Sequence, residues 1–199
     1  MTSERTKLDA MGTLRRSHGC GQIDRSRVGE EVVVAGWAHR RRDHGGVIFV
    51  DLRDQGGLVQ VVFRPETSTL AHQRAGDIRS EWVILVRGVI EARSAETVNA
   101  KMVTGEVEIN VHELRILNSA SAPPFAIEED AGADESVRLK HRIHDLRRPP
   151  LQRALAVRDR LSSAMRNSLS KQGFMEIETP MLARATPEGA RDFLVPSRM

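Results

Sequence analysis

The 199-residue sequence has few of the residues on which several classes of protein depend. It contains one cysteine, Cys20, and no tyrosine. A single thiol excludes an internal disulfide and a cysteine-rich zinc site. No apolar run approaches the roughly 18 to 20 residues that cross a bilayer. Because no apolar stretch follows the basic residues near the start of the chain either, we expect a cytoplasmic protein with no membrane partner.

Motifs for several kinds of catalytic chemistry are also missing. The sequence has neither a glycine-rich phosphate-binding loop nor the nucleophile elbow of hydrolases. Its histidines include two close pairs, His39 with His44 and His141 with His144. Neither pair has a carboxylate or cysteine companion at a convincing ligand spacing. We therefore expect no metal site.

Charge of both signs is abundant but unevenly distributed. Residues 1–64 and 137–199 are net basic, whereas residues 65–136 are net acidic. Arginine greatly outnumbers lysine, and a planar guanidinium can donate two parallel hydrogen bonds to a phosphate or a base edge. This pattern favours nucleic acid as a partner, although a set of solvated surface charges explains the composition equally well.

The hydrophobic pattern predicts a small β-barrel in the first part of the chain. Three β-branched runs separated by glycine turns predict the strands of an antiparallel meander, at residues 32–37, 47–52 and 58–63. Residues 66–81 then show helical spacing, and residues 82–92 and 107–117 return to a strand pattern. This order of three strands, one helix and two strands is that of the OB-fold, a five-stranded barrel.

Composition divides the chain into four predicted regions. An extension covers residues 1–13, and the OB-fold barrel covers residues 14–117. Residues 118–136 are rich in small, acidic and proline residues, which is typical of a linker. Residues 137–199 are predicted to begin a second, α+β domain.

The second domain starts with an amphipathic helix. Leucines and a methionine lie on one stripe between residues 151 and 172, and Gly173 ends the pattern. Residues 174–179 read as a strand that closes at Pro180. A helix and one strand cannot bury a core alone, so we expect this domain to be truncated.

The early strands of the barrel carry candidate RNA-binding residues. OB-folds bind oligonucleotides on this face by combining a basic groove with aromatic side chains on which bases stack. The first strand ends in three arginines, 40–42, and the next two strands carry Phe49 and Gln60. Phe49 could stack on a base and Gln60 could read a base edge. Alternatively, Phe49 belongs to the core and Gln60 faces water at a strand edge.

A loop near the end of the chain is a second candidate site. Residues 185–192 combine small residues with a carboxylate, Glu188, and a guanidinium, Arg191. Such a loop could close over a small charged ligand, with Glu188 accepting a hydrogen bond from an ammonium group. A charged surface loop is the simpler explanation.

Four segments together resemble one known family. Residues 36–54, 145–149, 178–182 and 185–198 look like the bacterial aspartyl-tRNA synthetases. The similarity runs from about Leu14 to the last residues, and the block 186–197 separates this family from its asparaginyl and lysyl relatives. The resemblance implies a class II synthetase with an anticodon-binding OB-fold, a hinge and a catalytic domain built on an antiparallel sheet.

The resemblance also implies roles for individual residues. The implied anticodon-binding positions are Arg42, Phe49, Gln60 and Glu108, with Phe49 stacking on a base. Positions matching His44 and Glu96 lie in the region linked to whether tRNA-Asn is accepted beside tRNA-Asp. The segment that ends at Pro180 matches the motif that builds a homodimer interface, and Glu188 matches a position in the loop that closes over L-aspartate.

By the same resemblance, the complete enzyme ligates L-aspartate to tRNA-Asp through an aspartyl-adenylate, using ATP and Mg²⁺. The family's second and third motifs, with their ATP-binding arginines, are not found in the 199 residues. We therefore expect no catalytic residue in this chain, no bound cofactor and no aspartate activation by it alone. The alternatives are a free-standing, non-catalytic OB-fold RNA-binding module and a dimerising remnant that modulates a full-length partner.

Overall fold

The structure is a computed structural model that describes residues 7–182 and 195–196. It divides into two compact units, Met1–Pro124 and Phe125–Met199. The boundary between the units falls within the predicted linker, residues 118–136. The exact domain limits given above stay a prediction.

Five strands form a closed barrel in the first unit. They are β1 (Glu31–His44), β2 (Val47–Arg53), β3 (Leu58–Phe63), β4 (Val83–Ala92) and β5 (Val107–Asn118). Their order around the barrel is β1-β2-β3-β5-β4, and β4 pairs with β1 to close it. Among these five strands of the described residues, only β3 and β5 pair in parallel. The predicted five-stranded OB-fold barrel is confirmed.

A short helix, α1 (Thr69–Ala75), connects β3 to β4. It lies at the predicted place in the chain but is shorter than the predicted segment, 66–81. Ser68 caps its first turn by accepting a hydrogen bond from the backbone N–H of Ala71. Ala71 and Ala75 are buried, and Ile78 joins the barrel core just after the helix ends.

Strand β1 is longer than predicted because it continues into a tight hairpin. Gly45 and Gly46 adopt φ values of 61° and 79°, a conformation that glycine reaches without strain. The ladder between β1 and β2 therefore extends to the turn, and it pairs Arg42 with Phe49. A register shift between Ala38 and residue 40 bends β1 before the arginine-rich end.

Strand β2 alternates strictly between the core and the outer face. Its buried side chains are Ile48, Val50 and Leu52. Successive side chains of a strand point to opposite faces. Its outward side chains are Phe49, Asp51 and Arg53. This alternation puts an aromatic ring, a carboxylate and a guanidinium on one face of the barrel.

The second unit contains three helices among its described residues: α2 (Glu135–Lys140), α3 (Arg142–Asp145) and α4 (Pro149–Lys171). The amphipathic helix predicted over residues 151–172 is confirmed as α4, and two prolines begin it. Its apolar stripe, including Leu155 and Met165, is exposed. No helix in the described part of the chain is both long and apolar enough to cross a membrane.

The strand predicted at residues 174–179 does not form. These residues are described but are not paired with another strand. A strand requires a hydrogen-bonded neighbour, and the described part of this unit offers none. The prediction from the β-branched and aromatic composition of this segment was therefore wrong.

An arginine from the 145–149 motif holds part of the predicted linker. Asp145 is 1% exposed, and it accepts hydrogen bonds from Arg142 and Arg148. Arg148 also donates to the backbone carbonyls of Glu128 and Glu129, at 3.1 and 2.6 Å. The end of the linker is thus tied to the helices of the second unit.

Candidate nucleic-acid interface

A cleft of about 750 Å³ opens on the outer face of the barrel. It collects side chains from all five strands and from the loop that follows β4. The predicted site residues that line it are Arg42, His44, Phe49, Gln60 and Glu108. Residues that lie far apart in sequence therefore meet in one place, where the OB-fold is expected to bind oligonucleotides.

Phe49 lies half-buried on the outer face of β2. Its ladder partners are Arg42 on β1 and Val62 on β3. Because its neighbours Ile48 and Val50 fill the core instead, the interpretation of Phe49 as a core residue is wrong. One part of the phenyl side chain faces the cleft, where it is available to a flat ligand.

Gln60 is 3% exposed, although it points to the same outer face. Its amide oxygen accepts a hydrogen bond from Nη2 of Arg42 at 3.2 Å. Its amide nitrogen donates to Oε2 of Glu108 at 3.0 Å. The alternative that Gln60 faces water is wrong, because neighbouring charged side chains cover it and satisfy both ends of its amide.

Glu108 is the centre of a charged network. Its Oε1 accepts a hydrogen bond from Nη2 of Arg64 at 2.7 Å. Arg64 also contacts Glu91 through Nη1, at 3.3 Å. Nε of Arg93 lies 3.8 Å from Oε2 of Glu108. The network connects the end of β3 with β4 and β5.

Three further residues of the cleft, Arg64, Glu91 and Arg93, were not predicted from the sequence. The register of the sheet explains them, because Glu91 and Glu108 are directly opposite each other in the β4–β5 ladder. Two carboxylates in that position repel each other unless cations lie beside them. A predicted strand pairing would therefore have indicated that nearby arginines belong to the site.

Arg93 carries unused hydrogen-bonding capacity. Its side chain is 10% exposed, and its Nε and Nη1 are buried without a hydrogen-bond partner. Leaving buried donors unpaired costs free energy. Because protein atoms cover both nitrogens, a ligand oxygen can bond to them only if neighbouring side chains move.

The cleft balances positive and negative charge. Its three arginines, 42, 64 and 93, make ion pairs with three carboxylates, those of Asp51, Glu91 and Glu108. Arg41 turns away from it and donates to the backbone carbonyl of Ala75. The basic groove predicted here is therefore nearly neutral. Alternating donors and acceptors beside an aromatic ring suit the edges of bases better than phosphates.

Replacing Glu108 by Gln is expected to reduce the free energy of unfolding by no more than about 1 kcal/mol. The glutamine can still accept from Gln60. Of the two ion pairs that it removes, the one with Arg64 is partly exposed and the one with Arg93 is long, at 3.8 Å. Urea denaturation would measure the change, with Glu66→Gln, an exposed residue, as the control. A loss above about 2 kcal/mol would show that the carboxylate mainly holds the fold together and is not free to exchange partners.

The remaining predicted residues lie elsewhere. Glu96 is exposed in the loop between β4 and β5, but Ser94 and Thr97 of that loop line the cleft instead. Pro180 is exposed in the second unit. Glu188 lies outside the described residues.

Metal and thiol chemistry find no support in the described part of the chain. Within it, no group of three or more His, Cys, Asp and Glu side chains is arranged to hold a metal ion. Burial raises the pKa of the Cys20 thiol to about 12, and the nearby Asp54 carboxylate contributes to the rise. This thiol is therefore protonated at neutral pH and is a poor nucleophile.

Two family models match this chain. Residues 32–117 match an OB-fold nucleic acid binding domain. Residues 134–199 match the tRNA synthetases of class II (D, K and N). The first match covers the barrel, and the second covers most of the other unit.

The chain is similar in sequence to several aspartate–tRNA(Asp/Asn) ligases. The chain is 54% identical to the aspartate–tRNA(Asp/Asn) ligase of Desulfosudis oleivorans and 53% identical to that of Moorella thermoacetica. Each match covers 96% of this chain but 32% of the relative. The chain therefore spans about a third of the length of these relatives.

Solved structures support the fold. The aspartyl tRNA synthetase of Entamoeba histolytica superposes with a TM-score of 0.76 at 20% identity, over 92% of this chain and 42% of that one. A putative aspartyl-tRNA synthetase of Leishmania major Friedlin gives 0.77 at 19% identity, over 90% and 38%. At such identities the likeness concerns the fold alone.

The free-standing module considered above does not explain these matches. The similarity to the ligases extends beyond the barrel through the region of the class II model. Over nearly its whole length, the chain is therefore similar to about a third of the aspartate–tRNA(Asp/Asn) ligases, and its two parts match an OB-fold nucleic acid binding domain and the class II tRNA synthetases.

Proposed function

We propose that the cleft on the barrel binds the anticodon of tRNA-Asp. The observation that carries this proposal is the placement of Phe49, outward and half-buried, beside the hydrogen-bonded set formed by Arg42, Gln60 and Glu108. A base stacked on Phe49 would present its edge to a guanidinium, an amide and a carboxylate. These groups offer both donors and acceptors.

Base binding would exchange partners within the network. Gln60 and Glu108 already satisfy each other, so a base edge must replace contacts of similar strength. Arg93, with its unpaired Nε and Nη1, is the group that gains a partner. We assign it a role in binding beside the four anticodon positions named above.

The complete protein, in this proposal, ligates L-aspartate to tRNA-Asp through an aspartyl-adenylate. That reaction uses ATP and Mg²⁺, and the carboxylate of Glu188 accepts a hydrogen bond from the ammonium group of aspartate. The protein acts as a cytoplasmic homodimer, with the segment around Pro180 at the interface. The similarity to class II synthetases supports these assignments.

Two residues are proposed to affect the choice of tRNA. His44 lines the cleft at the β1–β2 turn, where it can reach a base beside the one stacked on Phe49. Glu96 acts through its loop, whose neighbouring residues line the cleft. Because the similar ligases are named for both tRNA-Asp and tRNA-Asn, we propose that tRNA-Asn is accepted as well.

Anticodon recognition is tested with the 199-residue chain and the anticodon stem-loop of tRNA-Asp. The chain is expected to bind this RNA more tightly than the same stem-loop with a changed anticodon. The loss of one hydrogen bond corresponds to about 1 kcal/mol, or roughly fivefold in Kd. Fluorescence anisotropy would measure both affinities. Equal affinity for the two RNAs would contradict anticodon recognition.

A further inference from the structure

A second groove, of about 430 Å³, is lined by the residues of β1 that directly precede those lining the cleft. It is formed by the end of β1 and by the segment that joins α1 to β4. The residues that line it are His39, Arg40, Arg41, Gly76, Ile78, Arg79 and Ser80. Three arginines and one histidine are thus gathered without a carboxylate among the lining side chains.

The arginines of the groove differ in how firmly they are held. Arg79 donates through Nη1 to the backbone carbonyls of Gly76 and Ile78, at 2.9 and 3.0 Å. These bonds orient the guanidinium without neutralising it. Arg41 is oriented by the carbonyl of Ala75 and has a distant ion pair with Asp43, at 3.7 Å.

Arg40 is exposed, and within residues 7–182 and 195–196 it forms no ion pair. The charge of its guanidinium is therefore available to an external anion. Together with Arg79, it gives the groove two cations that form no ion pair with a carboxylate of the described residues. The cleft lacks such unpaired positive charge, because each of its arginines lies beside a carboxylate.

The groove and the cleft share strand β1. Arg40 and Arg41 line the groove, and Arg42, the next residue, lines the cleft. The two surfaces therefore adjoin along β1, within reach of one nucleic acid strand whose bases enter the cleft. Phosphate contacts supply most of the electrostatic affinity of such complexes, whereas base contacts supply specificity.

We propose that this groove binds backbone phosphates of the RNA strand whose bases occupy the cleft, with Arg40 and Arg79 as the principal ligands. The proposal rests on the anticodon-binding function proposed above. The two surfaces then have different roles. The cleft, whose charges are balanced, selects bases, and the basic groove provides affinity that is independent of the RNA sequence.

The test uses the 199-residue chain, the two stem-loops described above, and salt concentrations from about 50 to 200 mM. Arg40→Gln and Arg79→Gln are each expected to weaken binding of both RNAs by the same factor. The slope of log affinity against log salt should become shallower by about 0.7 to 0.9 for each phosphate that is no longer bound. Arg40→Lys and Arg79→Lys keep the charge and should restore most of the slope.

Arg15→Gln is the matched control. Arg15 is exposed and, like Arg79, donates through Nη1 to two nearby backbone carbonyls. It lies outside both the groove and the cleft, so its loss should leave the slope unchanged. An equal effect of Arg15→Gln would show that only net charge matters and would overturn the proposal.

Two further outcomes separate this proposal from the function on which it rests. If the chain prefers the tRNA-Asp anticodon but Arg40→Gln and Arg79→Gln keep the original slope, the groove does not bind phosphate and anticodon recognition stands. If the groove variants lower the slope but the chain shows no anticodon preference, the groove is a general RNA surface. That result overturns both proposals.

Discussion

Replacement of Phe49 by Ala is expected to weaken binding of the tRNA-Asp anticodon stem-loop by about 1 to 3 kcal/mol, or roughly 5- to 150-fold in Kd. The aromatic ring lies on the outer face of β2 and lines the cleft. Ala removes the surface on which a base stacks. Because Phe49 carries no charge, the dependence of affinity on salt should not change.

Two further variants show whether stacking is the cause. Phe49→Leu keeps an apolar side chain but has no aromatic face, so its affinity should stay close to that of Phe49→Ala. Leu70→Ala removes another exposed apolar side chain, on α1, and should bind like the unchanged chain. Normal affinity of a folded Phe49→Ala variant would reject the stacking role.

The barrel could be predicted because its strands have a simple period. In β2, buried aliphatic residues alternate with Phe49, Asp51 and Arg53, and glycine turns mark both ends. Local pattern does not show how far pairing extends, however. Strand β1 runs to His44 because β2 continues beside it, and that depends on the partner.

The same dependence on partners explains the strand that was wrongly predicted. Residues 174–179 have the composition of a strand, but composition cannot supply the neighbour that a strand needs. Helix α4 was easier to predict because its hydrogen bonds lie within the segment itself. Its observed limits, Pro149–Lys171, are close to the predicted ones.

The residues of the cleft could be predicted only in part, because most of them are brought together by strand pairing. Gln60 was noticeable as an amide among aliphatic residues, and a buried amide needs partners. Those partners, Arg42 and Glu108, come from β1 and β5, and only the closed barrel brings them together. Arg64 and Arg93 gave no local signal, because an arginine at the end of a strand is usually a solvated charge.

The near-neutral charge of the cleft favours specific binding over general RNA binding. If the cleft itself were strongly basic, any RNA would bind it well, and a wrong anticodon would lose little. In the structure, Arg42, Arg64 and Arg93 are each balanced by a carboxylate. A base that cannot replace these contacts leaves charged groups unpaired, so the network penalises wrong bases as well as favouring the right one.

Replacement of Glu188 by Ala in the complete protein is expected to have the largest effect on aspartate activation. In the proposed function, its carboxylate accepts a hydrogen bond from the ammonium group of aspartate. A hydrogen bond to a charged group contributes about 1.5 to 3 kcal/mol, so kcat/KM for aspartate should fall by at least about tenfold. Aspartate-dependent exchange of pyrophosphate into ATP would measure it, because formation of the adenylate releases pyrophosphate.

The same assay separates activation from RNA binding. The 199-residue chain is expected to show no exchange, because one carboxylate without the arginines that hold ATP gives too little stabilisation of the transition state. In the complete protein, Phe49→Ala should leave exchange unchanged but lower aminoacylation at limiting tRNA, whereas Glu188→Ala should lower both. Normal exchange by Glu188→Ala would remove Glu188 from the aspartate site. Exchange by the 199-residue chain would show that the chemistry needs less of the protein than the resemblance implies.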